Sequence, residues 1–267
     1  MATSASRSPG NGGRFDIGRV EGSEAYGAIA SASGETYTLT KVGTNQVNLR
    51  GRVSNLNLAV AAGTVGFEDS DVVGSVSVTV NSGATLGSWG VRTVAAPFTL
   101  NNGANLNSLG GGTGTWTGAG VIGAISGDVV NVSSTQGSLI FNGALSGPGR
   151  LNLNGTANFV QLGGNNAGLT GDIVVASTGS LGINQNNALG TGALTLTGAA
   201  TLDNFSGAPV VVAGGTDVND ALMFAPNNYA SNPQDAPWIT FTTQNFPQSS
   251  NYAFGDVDSD GLDDILF

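Results

Sequence analysis

A short unit that recurs along the chain constrains its fold more than any other feature of the sequence. In each copy, apolar residues alternate with polar ones, a glycine follows, and a further apolar residue comes after it, as in VSVTVNSGATL at 76–86 and LTLTGAATL at 194–202. Alternation places the apolar side chains on one face of an extended strand, and glycine allows the positive φ of a turn. Such a unit cannot bury its apolar face alone. Copies must therefore stack, which predicts a solenoid.

The spacing of the copies indicates the size of one coil. Gly63, Gly83 and Gly103 follow successive strands at steps of twenty residues, a period typical of repeat architectures. At that period, Thr36–Leu202 would form roughly eight coils rising ~4.8 Å each, or a rod of about 40 Å. A β-sandwich is the structural alternative, since its short strands usually recur every ~8–12 residues. We expect the following apolar side chains to point inward: Val60, Val80, Leu86, Leu100, Leu106, Leu181, Leu196 and Leu202.

Several segments also resemble one known kind of repeat. They are YTLTKVGTNQVNLRG at 37–51, VTVNSGATLG at 78–87, FTLNNGANL at 98–106, LSGPGRLNLNG at 145–155, NNAGLTGDIVV at 165–175 and NNALGTGALTLTGAATL at 186–202. These segments are similar to autotransporter-associated β-strand repeats, over about two-thirds of the chain. The resemblance implies a right-handed parallel β-helix on a secreted or surface-exposed protein. It implies no shared catalytic residues.

The sequence predicts an all-β chain in three parts. Residues 1–22 are expected to form a flexible tail, 23–212 the right-handed parallel β-helix (β-solenoid), and 213–267 an irregular capping or interface region. The last part is rich in proline, which is excluded from central strands, and in aromatic residues. Those aromatic residues serve either to cap the open end of the solenoid or to anchor a subunit interface.

Charge is sparse and unevenly distributed. The net charge is −10, and the chain has no histidine or cysteine, which excludes catalysis and metal sites built on those residues. Residues 1–60 carry six cations and four acids, whereas ten Asp and no Lys or Arg follow Arg150. This distribution argues against nucleic-acid binding, which needs a basic face. The acidity either keeps the protein soluble or lets the acidic end of one copy meet the basic end of another, through Arg7, Arg14 and Arg19.

The expected location is extracellular or at the cell surface, as the resemblance implies. Met1–Arg19 lacks the apolar core of a secretory signal. No run approaches the ~20 apolar residues of a membrane helix, so we expect no membrane insertion.

The last residues, GDVDSDGLDDILF, contain a candidate calcium loop. Asp256, Asp258 and Asp260 stand at positions 1, 3 and 5 of a D-x-D-x-D-G pattern, and Asp264 at position 9. This spacing lets carboxylates converge on one hard cation while Gly261 permits the sharp turn. The loop resembles dockerin-like and thrombospondin-type calcium repeats. A solvated acidic turn is the alternative.

The function that we predict is that of a structural or adhesin-like solenoid, either a displayed monomer or a self-assembling subunit of a surface layer or filament, and not an enzyme. The first alternative is a carbohydrate-active β-helix enzyme, which needs two carboxylates ~5–10 Å apart on one face. Its candidate residues are Glu68, Asp69, Asp71, Asp128, Asp172 and Arg92. The second alternative is a glycan-binding module, which would expose Trp89 and Trp116 in a row along one face. Either tryptophan could equally pack in the core.

Overall fold

The computed structural model describes residues 29–32, 34–68, 76–154, 158–176 and 179–207 together with Val210, and the backbone alone of short strands at 5–7, 15–17, 211–212, 239–241, 253–255 and 264–266. Within these residues no helix is long and apolar enough to cross a membrane. Their regular elements are strands: β1 (Ala5–Arg7), β2 (Phe15–Ile17), β3 (Ile29–Ala30), β4 (Tyr37–Lys41), β5 (Gln46–Leu49), β6 (Val53–Ser54), β7 (Leu56–Val60), β8 (Thr64–Phe67), β9 (Ser77–Val80), β10 (Thr85–Ser88), β11 (Arg92–Val94), β12 (Phe98–Leu100), β13 (Asn105–Ser108), β14 (Thr113–Trp116), β15 (Gly120–Ile122), β16 (Val129–Ser133), β17 (Ser138–Phe141), β18 (Leu145–Gly147), β19 (Arg150–Leu153), β20 (Phe159–Leu162), β21 (Gly168–Leu169), β22 (Ile173–Val175), β23 (Ser180–Ile183), β24 (Leu194–Leu196), β25 (Thr201–Asn204), β26 (Val210–Val212), β27 (Ile239–Phe241), β28 (Ala253–Gly255) and β29 (Asp264–Leu266).

Most strands belong to three sheets that run along the solenoid. Sheet 1 has the order β1-β2-β5-β8-β10-β13-β16-β19-β22-β24, sheet 2 the order β11-β14-β17-β20-β23-β25, and sheet 3 the order β21-β18-β15-β12-β9-β7-β4. Consecutive strands such as β12, β13 and β14 lie in sheets 3, 1 and 2, so one coil adds a strand to each sheet. Sheets 2 and 3 are parallel throughout, as is sheet 1 apart from the β1–β2 pair. The described chain is therefore a parallel β-solenoid of about eight turns, as predicted.

The pairing register shows a period of about twenty residues, with steps that range from 18 residues (Val47 with Val65) to 26 (Leu106 with Val132). In sheet 1, Val65 pairs with Leu86 and Leu86 with Leu106, at steps of 21 and 20 residues. In sheet 3, Val78 pairs with Phe98 after 20 residues. The β-sandwich alternative is excluded, because neighbouring strands come from successive coils and run parallel.

The interior is a continuous apolar column. All eight side chains predicted to point inward are at most 2 % exposed. The turn glycines Gly63, Gly83 and Gly103 adopt φ angles of 71°, 72° and 74°, as the repeat pattern required. The same in-register stacking thus explains both the alternation and the glycines.

An aromatic cluster fills the middle of the core. Trp116 is fully buried, and its ring centroid lies 6.1 Å from that of Phe67 and 5.4 Å from that of Phe98, both edge to face. Phe141, which pairs with Trp116 in the next coil of sheet 2, lies 6.2 Å from Phe98. Such contacts add stabilisation beyond buried area. The cluster joins successive coils.

A column of glycines lies at the corner that follows sheet 2. Gly118, Gly143 and Gly164 are each the second residue after β14, β17 and β20. The N–H groups of Asn142 and Gly143 both donate to the carbonyl of Trp116, at 2.8 and 3.0 Å. A Cβ on Gly143 would overlap the carbonyl oxygen of Gly118 in the preceding coil. Close approach between backbones, not a positive φ, therefore requires glycine here.

A buried asparagine connects three coils. Asn166 is 0 % exposed, its Oδ1 accepts from the N–H of Leu145 at 2.7 Å, and its Nδ2 donates to the carbonyl of Ala188 at 2.6 Å. Leu145 belongs to the preceding coil and Ala188 to the following one. The side chain thus satisfies two backbone groups that the sheets leave unpaired.

Replacing Asn166 with alanine is expected to destabilise the protein by about 2–3 kcal/mol, because two buried backbone groups lose their partners. The midpoint of urea unfolding, followed by far-UV circular dichroism, measures the loss. Asn165→Ala is the matched control, since Asn165 is exposed and accepts only a 3.3 Å bond from the N–H of Ala167. Equal effects of the two substitutions would contradict the bridging role.

Strands outside the regular coils lie near both termini. In sheet 1, β2 pairs in parallel with β5, and β1 pairs antiparallel with β2. β26 pairs in parallel with β27, and β28 pairs antiparallel with β29. β1 and β2 fall within 1–22, and β27 to β29 within 213–267; the other residues of these two parts lie outside the described residues.

Candidate functional site

Most of the predicted calcium ligands lie outside the described residues. This holds for Asp256, Asp258 and Asp260; of Asp264 the structure describes only the backbone, which pairs with Gly255 at the start of β29. Among the residues described with side chains, no group of three or more acidic side chains is placed to hold a metal ion. Calcium binding at the C-terminal loop stays a prediction.

The first group of candidate catalytic acids lies at the corner that follows β8. Glu68 is 8 % exposed and forms an ion pair with Arg50, while Nε of Arg92 donates to the backbone carbonyl of Glu68. Arg92 also donates to the carbonyl of Val91 at 2.7 Å. These contacts tie Arg50, Glu68 and Arg92 of three successive coils together. Asp69 and Asp71 lie outside the described residues.

The two tryptophans proposed for glycan stacking do not form an exposed row. Trp116 is in the core, whereas Trp89 is half-buried. Trp89 covers the outer side of sheet 1, where a Cβ on Gly66 or on Gly110 would meet its ring. The alternative reading of Trp116, as a core residue, is correct.

A buried lysine connects the first two regular coils. Lys41 is 8 % exposed, and its Nζ donates to the carbonyl oxygens of Val42, Gly43 and Ala62 at 2.9, 2.6 and 3.0 Å. Desolvation lowers the pKa of Lys41 from its usual 10.5. Its partners are backbone carbonyls of two adjacent coils, so the ammonium group fastens one coil to the next.

Of the remaining candidate acids, Asp172 lines a cleft, and Asp128 lies in the chain between two of its lining residues, Gly127 and Val129. This half-open cleft has a volume of about 290 Å³ and lies at the corner between sheets 3 and 1. Parts of three successive coils line it: Ser126, Gly127, Val129, Pro148, Arg150, Thr170, Gly171 and Asp172. Leu151 pairs with Ile173, which places Arg150 and Asp172 at equivalent positions in adjacent coils.

The cleft exists because one corner of the solenoid is longer than the others. Leu100 and Ile122 occupy equivalent positions in sheet 3, and Asn105 and Asn131 do so in sheet 1. Four residues connect Leu100 to Asn105, but eight connect Ile122 to Asn131. The four extra residues lengthen this corner into a loop at 123–128, which makes one wall of the cleft.

Asp128 sets the shape of this loop. It is 8 % exposed, and its Oδ2 accepts from the N–H groups of Ala124 at 2.7 Å and Ile125 at 3.2 Å. Its backbone carbonyl accepts from the N–H of Arg150 at 2.8 Å, which links the loop to the next coil. Asp128 is therefore a positioning residue.

The exposed side chains of the cleft combine hydrogen-bond donors and acceptors. Among the described residues, no ion pair or side-chain hydrogen bond involves Arg150. Asp172 accepts from the N–H of Ala193 at 3.1 Å through Oδ1. The hydroxyl groups of Ser126 and Thr170 both donate and accept. The cleft can thus hold a small polar molecule.

Sequence reasoning named Asp128 and Asp172 as isolated acids and did not include Arg150. Two signals in the sequence point to this corner. The strand-and-turn unit is interrupted by GAISGD at 123–128, and Arg150 is the last cation of the chain. Neither signal shows which coils meet there.

Comparison of the chain with protein-family models, with curated proteins and with solved structures yields no match. The resemblance to autotransporter-associated repeats therefore stays a prediction made from the residues, and the function is inferred from the geometry of this chain.

Proposed function

We propose that this chain is a structural β-solenoid of the cell exterior, a rod-shaped subunit that associates head to tail in a surface layer or filament. The observation that supports this proposal is the parallel, in-register addition of one coil to the next along three sheets. A parallel sheet grows by adding a strand at its edge, and that strand can come from a second copy of the chain.

Hydrogen bonds between asparagine side chains of successive coils stabilise the outer surface of the solenoid. On sheet 1, Nδ2 of Asn131 donates to Oδ1 of Asn105 and Nδ2 of Asn152 donates to Oδ1 of Asn131, both at 3.4 Å. Near sheet 3, Asn101 donates to Asn81 at 3.1 Å. Asparagine ladders of this kind are typical of stacked strands, where they support axial stacking. They stabilise an outer surface that carries few charges.

The charge distribution supplies a direction for the assembly. Arg7, Arg14 and Arg19 lie near one end of the sequence and the acidic Asp256–Asp264 stretch near the other. A contact between unlike ends propagates into a fibre or closes into a ring. Exposed ion pairs contribute only ~0–1 kcal/mol each, so apolar contacts of the aromatic residues 238–254 are part of the proposal.

The intact protein is expected to form polymers whose length increases with concentration and decreases with salt. Analytical ultracentrifugation and negative-stain electron microscopy across a concentration series measure this. Calcium is the cofactor proposed for Asp256, Asp258, Asp260 and Asp264, so the series is run with and without millimolar calcium. A monodisperse monomer at high concentration in both conditions would contradict head-to-tail assembly.

Two variants distinguish the contribution of the N-terminal arginines to assembly from that of strands β1 and β2. Deleting 1–19 removes the basic residues and also β1 and β2, which cover the edge of sheet 1 at β5. The triple variant Arg7→Gln, Arg14→Gln, Arg19→Gln removes only the charge. If ionic contacts set the direction, the triple variant is expected to lose the salt dependence and to form shorter polymers. An unchanged salt dependence would assign the contact to other residues.

A further inference from the structure

We propose that the cleft at the corner between sheets 3 and 1 is a binding site for a neutral saccharide. It is formed by the loop 123–128 together with Pro148, Arg150, Thr170 and Asp172. This site is independent of the assembly proposed above, because residues of a single copy line it.

The charges of the cleft select for a neutral ligand. An anionic group near Arg150 would also lie near Asp172, whose carboxylate would repel it. The net charge of −10 would add to this repulsion. A cationic group near Asp172 would meet the guanidinium group of Arg150. A sugar hydroxyl donates one hydrogen bond and accepts others, so it can satisfy the guanidinium donors and the carboxylate acceptors together. Vicinal hydroxyl groups match such a side-by-side donor and acceptor.

The remaining lining supports the same ligand class. Ser126 and Thr170 add hydroxyl groups on two sides, while Val129 and Pro148 add small apolar surfaces for the carbon atoms of a sugar ring. A volume of about 290 Å³ is just below the ~300–1,000 Å³ of typical small-molecule sites. A half-open cleft of this size accommodates only a short part of a saccharide chain.

Arg150 is the residue expected to contribute most to affinity. It is the one cation among residues 93–207, and it makes no ion pair with the described residues. A guanidinium group that is not used for folding is available to a ligand. Hydrogen bonds to charged groups are also stronger than those between neutral groups.

Calorimetric titration of the full chain tests the proposal. The neutral probes are maltotetraose, cellotetraose and chitotetraose; the charged probes are tetragalacturonate and the tetramer of glucosamine. At least one neutral probe is expected to bind, and both charged probes at least about tenfold more weakly. Arg150→Gln and Asp172→Asn are each expected to weaken binding about tenfold or more, from the loss of a charge-assisted hydrogen bond.

Arg52→Gln is the matched control, because Arg52 is exposed and lies outside the cleft. It removes the same charge and is expected to leave the affinity unchanged. Circular dichroism checks that each variant is folded, and Asp172→Asn provides an independent test if Arg150→Gln does not fold. The proposal is overturned if no neutral probe binds at millimolar concentrations, if a charged probe binds more tightly than the neutral ones, or if Arg150→Gln behaves like Arg52→Gln.

Discussion

Replacing Gly143 with alanine is expected to destabilise the solenoid by about 3–5 kcal/mol, although the substitution adds a single methyl group. The new Cβ would overlap the carbonyl oxygen of Gly118 and come within 2.7 Å of the carbonyl oxygen of Thr117. Both are backbone atoms held in the preceding coil by pairing on either side. Neither can move without breaking that pairing. The new methyl group would therefore meet fixed backbone atoms, and not a side chain that could change its rotamer.

Gly111→Ala is the matched control for this substitution. Gly111 is exposed, has no positive φ, and the nearest atom to its new Cβ would be the carbonyl oxygen of Gln136 at 3.9 Å. Its expected effect is within about 0.5 kcal/mol. Urea unfolding followed by far-UV circular dichroism compares the two variants with the parent chain. A Gly143→Ala variant as stable as Gly111→Ala would show that the corner can relax.

Replacing Trp116 with alanine is expected to cost about 3–5 kcal/mol. The side chain is fully buried and contacts Phe67, which comes from two coils earlier, and Phe98, which lies in the same coil. The cavity would lie where three coils meet, and the surrounding strands are held in register, so they can close it only in part. Solenoid stability depends on contacts between neighbouring coils. We therefore expect the unfolding transition to broaden or to split in addition to shifting.

Trp116→Phe distinguishes packing volume from the indole N–H group. Among the described residues, Nε1 of Trp116 is buried and has no hydrogen-bond acceptor. Phenylalanine removes this unpaired donor and leaves a smaller cavity, so the expected cost is about 1 kcal/mol. Circular dichroism is the suitable probe, because either substitution removes a fluorophore. A loss as large as that of Trp116→Ala would contradict the argument from volume.

The repeat unit alone predicted the architecture. Alternation in strands such as 76–80 and glycines such as Gly83 are local requirements, and a unit with one apolar face can be satisfied only by stacking. The inward orientation of Leu86, Leu106 and Leu196 followed from the same alternation and is confirmed. The period also predicted the number of turns, because the length of one coil is set by its own residues.

The candidate site was predictable only in part. Asp128 and Asp172 were recognisable as acids in a chain with few charges, but 44 positions separate them in the sequence. Arg150 was not recognised, since an isolated arginine in a polar segment has no sequence pattern. Only the register of β16, β19 and β22 brings the three residues to one corner.

The sequence by itself determined that the described chain forms strands, which side chains face inward, and where glycine turns the chain, because each of these properties depends on neighbours a few residues away. The tertiary structure decided that Trp116 belongs to the core, that Gly143 allows no side chain, and that four extra residues before Asn131 open a cleft beside Arg150. These features depend on contacts between coils about twenty or more residues apart. Such contacts are set by the register of the sheets, to which every coil contributes.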